Sequence, residues 1–190
     1  MVSQYHLSVD NITYNFLESL REHYPHAQLE IKVKPQDKVE GLTEDKFWHL
    51  IALFDWSDSE NDAAIIHRAV QALAEMPVRC IYEFQDILSA KLHALDTRKH
   101  AENTGENAYH GKDSYFSVDE FLYARCCCVA NGKTFYETVL SDPYSMPKDL
   151  VFEAILTIAH KAYLLKTGKS FRYVPTYNIE TFANKNGWAI

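Results

Sequence analysis

The sequence predicts a mainly α-helical, single compact multi-helix domain with a minor β element. Apolar residues recur at helical spacing in several segments, which are separated by residues that cap or end helices, such as Thr43, Pro77 and Gly168. One short segment, residues 28–34, instead alternates apolar and charged residues as a strand does. A chain of 190 residues is long enough for one domain with a sizeable core.

The first 40 residues begin with a predicted helix. Asp10 is a suitable N-terminal cap, Phe16 and Leu20 share one face at a spacing of four, and Pro25 ends the pattern. We expect this extension to pack with the helical domain, residues 41–190, as one unit.

Residues 28–34 follow as a predicted amphipathic strand, because Leu29 and Ile31 alternate with charged neighbours. A lone strand needs a partner, and the segment FRYVPTY at 171–177 is the expected one. Pairing within the chain and pairing with a second copy both fit the pattern. The oligomeric state therefore stays open.

Three helices are predicted between residues 41 and 97. The first begins at Thr43, the second follows the acidic stretch SDSEND, and the third runs from Pro77 to Leu95. After about residue 97 the apolar periodicity ends. Residues 98–116 are predicted to be a long polar connection, of a kind that is either functional or disordered.

The remaining chain predicts three more helices. Ser117 and Glu120 match an S-x-x-E capping box at the start of one that ends at an Asn-Gly pair. A brief helix follows in KTFYETVLSDP. The last long helix ends before Gly168, and the apolar spacing places Val151 and Leu165 on its buried stripe.

A run of three cysteines, Cys126, Cys127 and Cys128, lies within the predicted capped helix. Neighbouring side chains on a helix point about 100° apart, so three consecutive thiols cannot converge on one metal ion. The only other cysteine is Cys80. We predict that the run packs as small apolar side chains. The alternative is one exposed redox thiol, Cys127, whose pKa Arg125 would lower.

Nine histidines raise the question of a metal or an acid–base site. No spacing matches an established metal motif, and no nucleotide-binding or nucleophile motif is present, so no metal and no cofactor are predicted. If a site exists, the candidate metal-binding or catalytic residues are His93, His100, His110 and Asp113, near the polar connection. Surface histidines are the preferred interpretation of a metal site, and a solvated loop is the preferred interpretation of the acid–base groups between residues 100 and 113.

Aromatic residues are abundant, with 12 Tyr and 10 Phe. Tyr109, Tyr115 and Phe116 fall in the polar connection, where exposed aromatic side chains suit a protein interface. Partial burial beneath the loop is the alternative for these residues.

The net charge of −7 disfavours binding to nucleic acid or to an anionic membrane surface. The first residues lack a basic segment followed by an apolar one, as a secretory signal would have. No apolar run approaches the length needed to cross a bilayer. These features predict a cytoplasmic protein with free thiols.

Three stretches together resemble a largely bacterial family, DUF4240, a domain of unknown function. They are TEDKFWHLI, SVDEFLYARCCCVANGKTFYETVLSDP and AYLLKTGKSF, and the resemblance covers roughly residues 43–171. The segment NAYHGKDSYF departs from the family pattern. The resemblance implies a compact, mainly helical domain, and it brings no established activity and no catalytic residues.

Two functions follow as hypotheses. The first is a non-catalytic protein-interaction module, regulatory or immunity-type, which binds a protein partner through the polar loop and its tyrosines. It predicts a discrete aromatic patch with an acidic rim. The second is a small hydrolase-like enzyme that uses His and carboxylate groups around residues 93–113, and it predicts a pocket where at least two of them converge.

Overall fold

The structure is a computed structural model that describes residues 12–32, 41–57 and 61–189. The chain forms two compact units, Met1–Lys38 and Val39–Ile190. The described residues are mainly helical, which confirms the helical part of the predicted fold class. None of the described helices is both long and apolar enough to cross a membrane.

The first unit contains helix α1, Tyr14–His23. Its N-terminal cap is Thr13, whose Oγ1 accepts a hydrogen bond from the backbone N–H of Phe16 at 3.2 Å. The predicted cap, Asp10, lies outside the described residues. The packing of this unit with the rest of the chain stays a prediction.

The predicted N-terminal strand is wrong for the residues that the structure describes. Residues 28–32 are irregular, and 33–34 lie outside the described part of the chain. The side chains of Leu29 and Ile31 are 58% and 62% exposed. Alternation reports amphipathicity, but a strand also needs a second strand to pair its backbone groups.

The expected partner, residues 171–177, also forms no strand. Its rings pack against a helix instead, with the Phe171 and Tyr173 centroids 5.6 and 4.9 Å from that of Tyr82. The backbone N–H of Thr176 donates to Asp86 Oδ1 at 2.9 Å. Side chains therefore hold this extended segment where a neighbouring strand was expected.

The second unit contains eight α-helices in its described residues. In chain order they are α2 (Glu44–Ile51), α3 (Asp62–Glu75), α4 (Val78–Ala94), α5 (Arg98–Ala101), α6 (Val118–Ala130), α7 (Lys133–Ser141), α8 (Ile158–Thr167) and α9 (Lys185–Trp188). Two 3₁₀ turns, Pro143–Ser145 and Glu153–Thr157, lie between α7 and α8. Gly168 ends α8 in the left-handed conformation, at φ 68°.

Helix α8 is the centre of the packing, because α3 and α4 both lie against it. Helix α6 packs against α4 on one side and against α7 on another. The core is closed by large side chains that are fully buried, among them Phe47, Phe84, Phe121, Leu73, Ile81 and Leu88.

The last long helix is shorter than the apolar spacing predicts. The α-helix begins only at Ile158, after the 3₁₀ turn Glu153–Thr157. Val151 and Leu165, both predicted on the buried stripe, are 52% and 63% exposed. Val151 precedes the helical segment, whereas Leu165 lies within α8 on its exposed side, so the prediction for these two residues is wrong.

The capping box at α6 is only half formed. Ser117 Oγ accepts from the backbone N–H of Glu120 at 3.2 Å, as predicted. The Glu120 carboxylate does not return to the cap and instead accepts from Asn107 Nδ2 at 3.0 Å. This contact attaches the polar connection to the start of α6.

Candidate functional site

The cysteine run is part of the core. Cys126, Cys127 and Cys128 are all buried on α6 with free thiols, which confirms packing and makes the exposed-thiol alternative for Cys127 wrong. Burial raises the pKa of all three thiols, and at Cys126 and Cys128 it outweighs the opposite effect of Arg125. The neutral thiol is therefore the stable form.

The neighbouring Arg125 is the largest fully buried side chain of the described residues. Its Nη1 donates to the carbonyl of Leu92 at 3.0 Å, and its Nη2 donates to the Ile179 carbonyl and to Thr181 Oγ1, both at 3.0 Å. The guanidinium carbon lies 4.7 Å from the ring centroid of Phe121. Arg125 thus joins α4 to the end of the chain.

A buried carboxylate, Asp96, also holds the end of the chain. Its Oδ1 accepts from Trp188 Nε1 at 2.8 Å and from the Phe182 N–H at 3.2 Å, and its Oδ2 accepts from the Asn184 N–H at 2.9 Å. Burial lowers the pKa of Arg125, and Asp96 is the largest influence in the other direction. The two buried charges therefore compensate one another electrostatically.

Residues 178–189, called the C-terminal segment from here on, pack their rings against the polar connection. Tyr109 lies 5.2 Å from Phe116 and 5.3 Å from Trp188, measured between ring centroids. Phe182 and Trp188 are 4.4 Å apart in the same cluster. Two of the predicted interaction residues are thus brought together, but as half-buried members of an internal cluster.

The third predicted interaction residue, Tyr115, is 82% exposed. It lies beside the cluster in sequence, and its ring contacts none of the other described aromatic residues. Of the three, Tyr115 is the one that is largely exposed. Its role in an interface stays a prediction.

The candidate base His100 is buried and has both ring nitrogens engaged. Nε2 donates to the carbonyl of Val139 at 3.0 Å, so Nδ1 is the acceptor of a hydrogen bond from the Thr97 hydroxyl at 2.7 Å. Burial lowers the pKa of His100, and Arg125 lowers it further, against the effect of the Val139 hydrogen bond. The imidazole is neutral and serves to join α5 to α7.

The other three candidates do not converge with it. His93 Nδ1 donates to the carbonyl of Asn178 at 2.8 Å, and His110 and Asp113 are exposed. Within the described residues no hydrogen bond or ion pair joins any two of the four candidates. The described residues also contain no group of three His, Cys, Asp or Glu side chains that is placed to hold a metal ion.

The polar connection is held by a second loop. The backbone N–H of Asp149 donates to the Thr104 carbonyl at 2.9 Å, and Asp149 Oδ1 accepts from the Glu106 N–H at 2.8 Å. Gly105 lies between them at φ 112°, where a Cβ would stand 2.2 Å from the Asp149 carboxylate. Only glycine fits this close approach, so the connection is fixed at this point.

Beside this contact lies a small cavity of about 10 Å³, with room for roughly one water molecule. Leu150 and Val151 form part of its wall, yet their side chains are 59% and 52% exposed. Glu120 and Asp149 line the same cavity. Two adjacent aliphatic side chains are therefore presented to solvent between carboxylates.

Further carboxylates act electrostatically on the neighbouring Tyr123, whose carbonyl accepts from the Phe152 N–H at 3.1 Å. Glu153 raises the pKa of the Tyr123 phenol most strongly, and burial, Asp119 and Glu180 raise it further. We call this surface the acidic face. Its members are Asp119, Glu120, Tyr123, Asp149, Leu150, Val151, Glu153 and Glu180.

The sequence did not reveal the acidic face. Its carboxylates come from three separate stretches of chain, and the helical spacing assigned Val151 to the core. The one available signal was local: the sequence KDLVFE places two adjacent aliphatic residues between acidic ones after a proline, which is unusual for a buried helix start.

A second, open depression of about 350 Å³ lies between α3 and α8. It is lined by Gln71, Ala74, Glu75, Leu165 and Lys166. The Lys166 ammonium donates to the carbonyl of Ala74 at 3.0 Å. Neither this depression nor the small cavity is lined by His93, His100, His110 or Asp113.

Comparison with known proteins identifies one family. The family model described as "Protein of unknown function (DUF4240)" matches residues 42–164, close to the range of the resemblance in the sequence. No curated protein and no solved structure matches the chain. The matched range includes Asp96, Arg125 and most of the acidic face. Because it spans well over half of the 190 residues, the chain belongs to the DUF4240 family.

Proposed function

We propose that the chain is a non-catalytic protein-interaction module that binds a basic protein partner through the acidic face. The observation that carries the proposal is the exposed pair Leu150 and Val151, 59% and 52% exposed, within a group of carboxylates. Interfaces draw most of their affinity from a few central apolar or aromatic contacts with a polar rim. The acidic face has this arrangement.

Charge supports a basic partner. The chain has a net charge of −7, and Glu153, Asp119 and Glu180 each raise the pKa of the same phenol, that of Tyr123. A surface with one sign of charge speeds the encounter with an oppositely charged protein and disfavours partners of the same sign.

The loop that presents the two aliphatic side chains is held in one conformation. Asp149 has φ 56°, a left-handed conformation that is unfavourable for a residue with a side chain. Its hydrogen bonds to Thr104 and Glu106 keep it there. A loop fixed before binding loses less conformational entropy when the partner arrives.

A regulatory or immunity-type role is the biological form of this proposal, in which the bound partner is held inactive or kept available. The hydrolase alternative has no comparable support. His100 has no free nitrogen, and His110 and Asp113 are exposed and do not line the cavities described above.

The test is affinity purification of the tagged chain from its native cells, followed by mass spectrometry and titration of the purified pair. Val151→Arg introduces a positive charge at the centre of the acidic face. Leu165→Arg is the matched control, because Leu165 is similarly exposed but lines the other depression.

We expect the wild type and Leu165→Arg to retain one stoichiometric basic partner, and salt of about 0.5 M to weaken the pair. Val151→Arg is expected to weaken it by about thirtyfold or more, as loss of an interface hot spot does. Retention of the partner by Val151→Arg, or the absence of any stoichiometric partner, would overturn the proposal.

A further inference from the structure

The buried carboxylate of Asp96 has hydrogen-bond donors from one part of the chain alone. All three of its donors, the N–H groups of Phe182 and Asn184 and the Trp188 indole, belong to the C-terminal segment. If the segment left, the carboxylate would lose every hydrogen bond that the described residues give it. A buried charge without partners is unfavourable, so the segment docks as a whole.

Arg125 depends on the same segment. Nη1 donates to Leu92, whereas both partners of Nη2 are Ile179 and Thr181. Its Nε has no hydrogen-bond partner among the described residues. Undocking of the segment would therefore leave a second buried charge with fewer partners.

The segment also contributes to the acidic face. The Thr181 hydroxyl accepts from Arg125 and donates to the carbonyl of Val118 at 2.8 Å, at the start of α6. This fixes the adjacent Glu180 near Tyr123, whose pKa it raises. One of the rim carboxylates is thus in place only while the segment is docked.

The polar connection is held from the same side. Tyr109 and Phe116 pack against Phe182, with ring centroids 6.4 and 6.2 Å away. Asn107 lies in the polar connection between α5 and Tyr109, and its side-chain amide donates to Glu120 on the acidic face. The segment therefore supports both a carboxylate of the face and the loop beside it.

We infer that the C-terminal segment is a strap whose docking on Asp96 and Arg125 completes the acidic face, so that strap docking and partner binding are thermodynamically coupled. The inference rests on the proposed function. A basic partner that binds only the complete face stabilises the docked strap. By linkage, release of the strap lowers the affinity for the partner by the same factor by which the partner favours docking.

The test uses the full-length chain and a basic amphipathic peptide of leucine and lysine as the probe. Asp96→Asn keeps the shape of the side chain but places an amide where a carboxylate accepts three donors. Trp188→Phe removes the indole donor and keeps an aromatic ring at this position, which provides a milder variant if Asp96→Asn fails to fold. Asp86→Asn is the matched control, because Asp86 holds Tyr173 and Thr176, upstream of the strap.

Hydrogen exchange and calorimetric titration are the two readouts. We expect Asp96→Asn to speed hydrogen exchange of the Phe182 and Asn184 amides and to lower the affinity for the peptide about tenfold, within the usual range of allosteric coupling. Trp188→Phe should do both to a smaller extent. Asp86→Asn should speed exchange at Thr176 and leave affinity within about twofold.

Three results would overturn the inference, and each has a separate meaning. Unchanged exchange in Asp96→Asn would show that Asp96 does not anchor the strap. Faster exchange with unchanged affinity would show that the strap is anchored but independent of the acidic face. Failure of the wild type to bind the peptide would remove the proposed function and the coupling with it, while exchange without peptide would still decide the anchoring.

Discussion

Two buried clusters lie next to each other at helix α6, and they differ in whether burial requires hydrogen-bond partners. The thiol cluster consists of Cys126, Cys127 and Cys128, and the polar centre consists of Asp96, His100 and Arg125. The thiols lie within the hydrophobic core, where Cys127 and Cys128 have only weak contacts with Asn131 and Met146. Each polar side chain instead forms hydrogen bonds with residues that are distant in sequence: His100 and Arg125 donate to carbonyl groups, and Asp96 accepts. The conspicuous cysteines fill space, whereas the adjacent arginine determines where the end of the chain lies.

The largest expected effect is the difference in stability loss between removing a buried carboxylate, Asp96, and removing a half-buried one, Asp86. Asp96→Ala removes the acceptor of three donors and leaves Arg125 without its opposing charge, so we expect the free energy of unfolding to fall by about 3–5 kcal/mol. Asp86→Ala also removes the acceptor of three hydrogen bonds, but water replaces it, and about 1 kcal/mol is expected. Urea denaturation measures both. Equal losses would show that burial of Asp96 is not what matters.

The thiol cluster should respond to alkaline pH. Burial raises the pKa of Cys126, Cys127 and Cys128 above that of an unfolded thiol, about 8.5. Above that pH the unfolded chain loses protons that the folded chain keeps, so stability falls as pH rises, by up to about 1.4 kcal/mol per pH unit for each thiol.

Urea midpoints from pH 7 to about 9.5, under reducing conditions, measure this dependence. A variant with alanine at all three positions is the control and should show a clearly smaller slope. The same slope in both proteins would mean that these thiols ionise freely and are not buried as described.

A polar group placed in the thiol cluster tests its apolar character. Cys126→Ser replaces the thiol with a hydroxyl that needs a strong partner, and we expect a loss of about 2 kcal/mol. Cys126→Ala removes the sulfur without adding a polar group and should lose about 1 kcal/mol. Thermal and urea denaturation measure both. If serine were tolerated as well as alanine, water or an unrecognised acceptor would have to reach this position.

The polar centre should respond to acid instead, through His100. Burial lowers its pKa in the folded chain below the unfolded value of about 6.5. The contribution is complete above that value, and stability falls as pH decreases from it toward the folded pKa, because the unfolded chain binds the proton first. We expect His100 to lower the free energy of unfolding by about 1 kcal/mol between pH 7 and 5.5, and the pH profile of His100→Gln to be flatter. Identical profiles would mean that His100 is protonated as easily in the folded chain.

The helices were predictable because their signals are local. The stripe Ile65, Ile66, Ala69, Val70 and Leu73 is fully or nearly fully buried on α3, as its spacing predicts. The strand at 28–34 was not, because alternation cannot say whether a partner strand exists. Val151 shows the corresponding error for helices, since apolar spacing continued through a loop and a 3₁₀ turn.

The polar centre and the acidic face could not be predicted from the sequence for a different reason, which is that their residues are distant from one another in the chain. Asp96 and Trp188 are 92 residues apart, and Arg125 and Thr181 are 56 apart. A single aspartate after a helix and a single arginine within one look like surface residues until the fold brings their partners to them. Tyr109 and Phe116 were selected as candidate interface residues of the polar connection, but their ring partners in the C-terminal segment could not be predicted.

The most direct test of the polar centre is a double-mutant cycle between Asp96→Ala and Trp188→Phe, measured as free energies of unfolding in urea. The two side chains share a hydrogen bond of 2.8 Å between the indole N–H and a buried carboxylate. We predict a coupling energy of about 1.5–3 kcal/mol, as for hydrogen bonds to charged groups. Additive effects, with a coupling below about 0.3 kcal/mol, would contradict the anchoring of the C-terminal segment by Asp96.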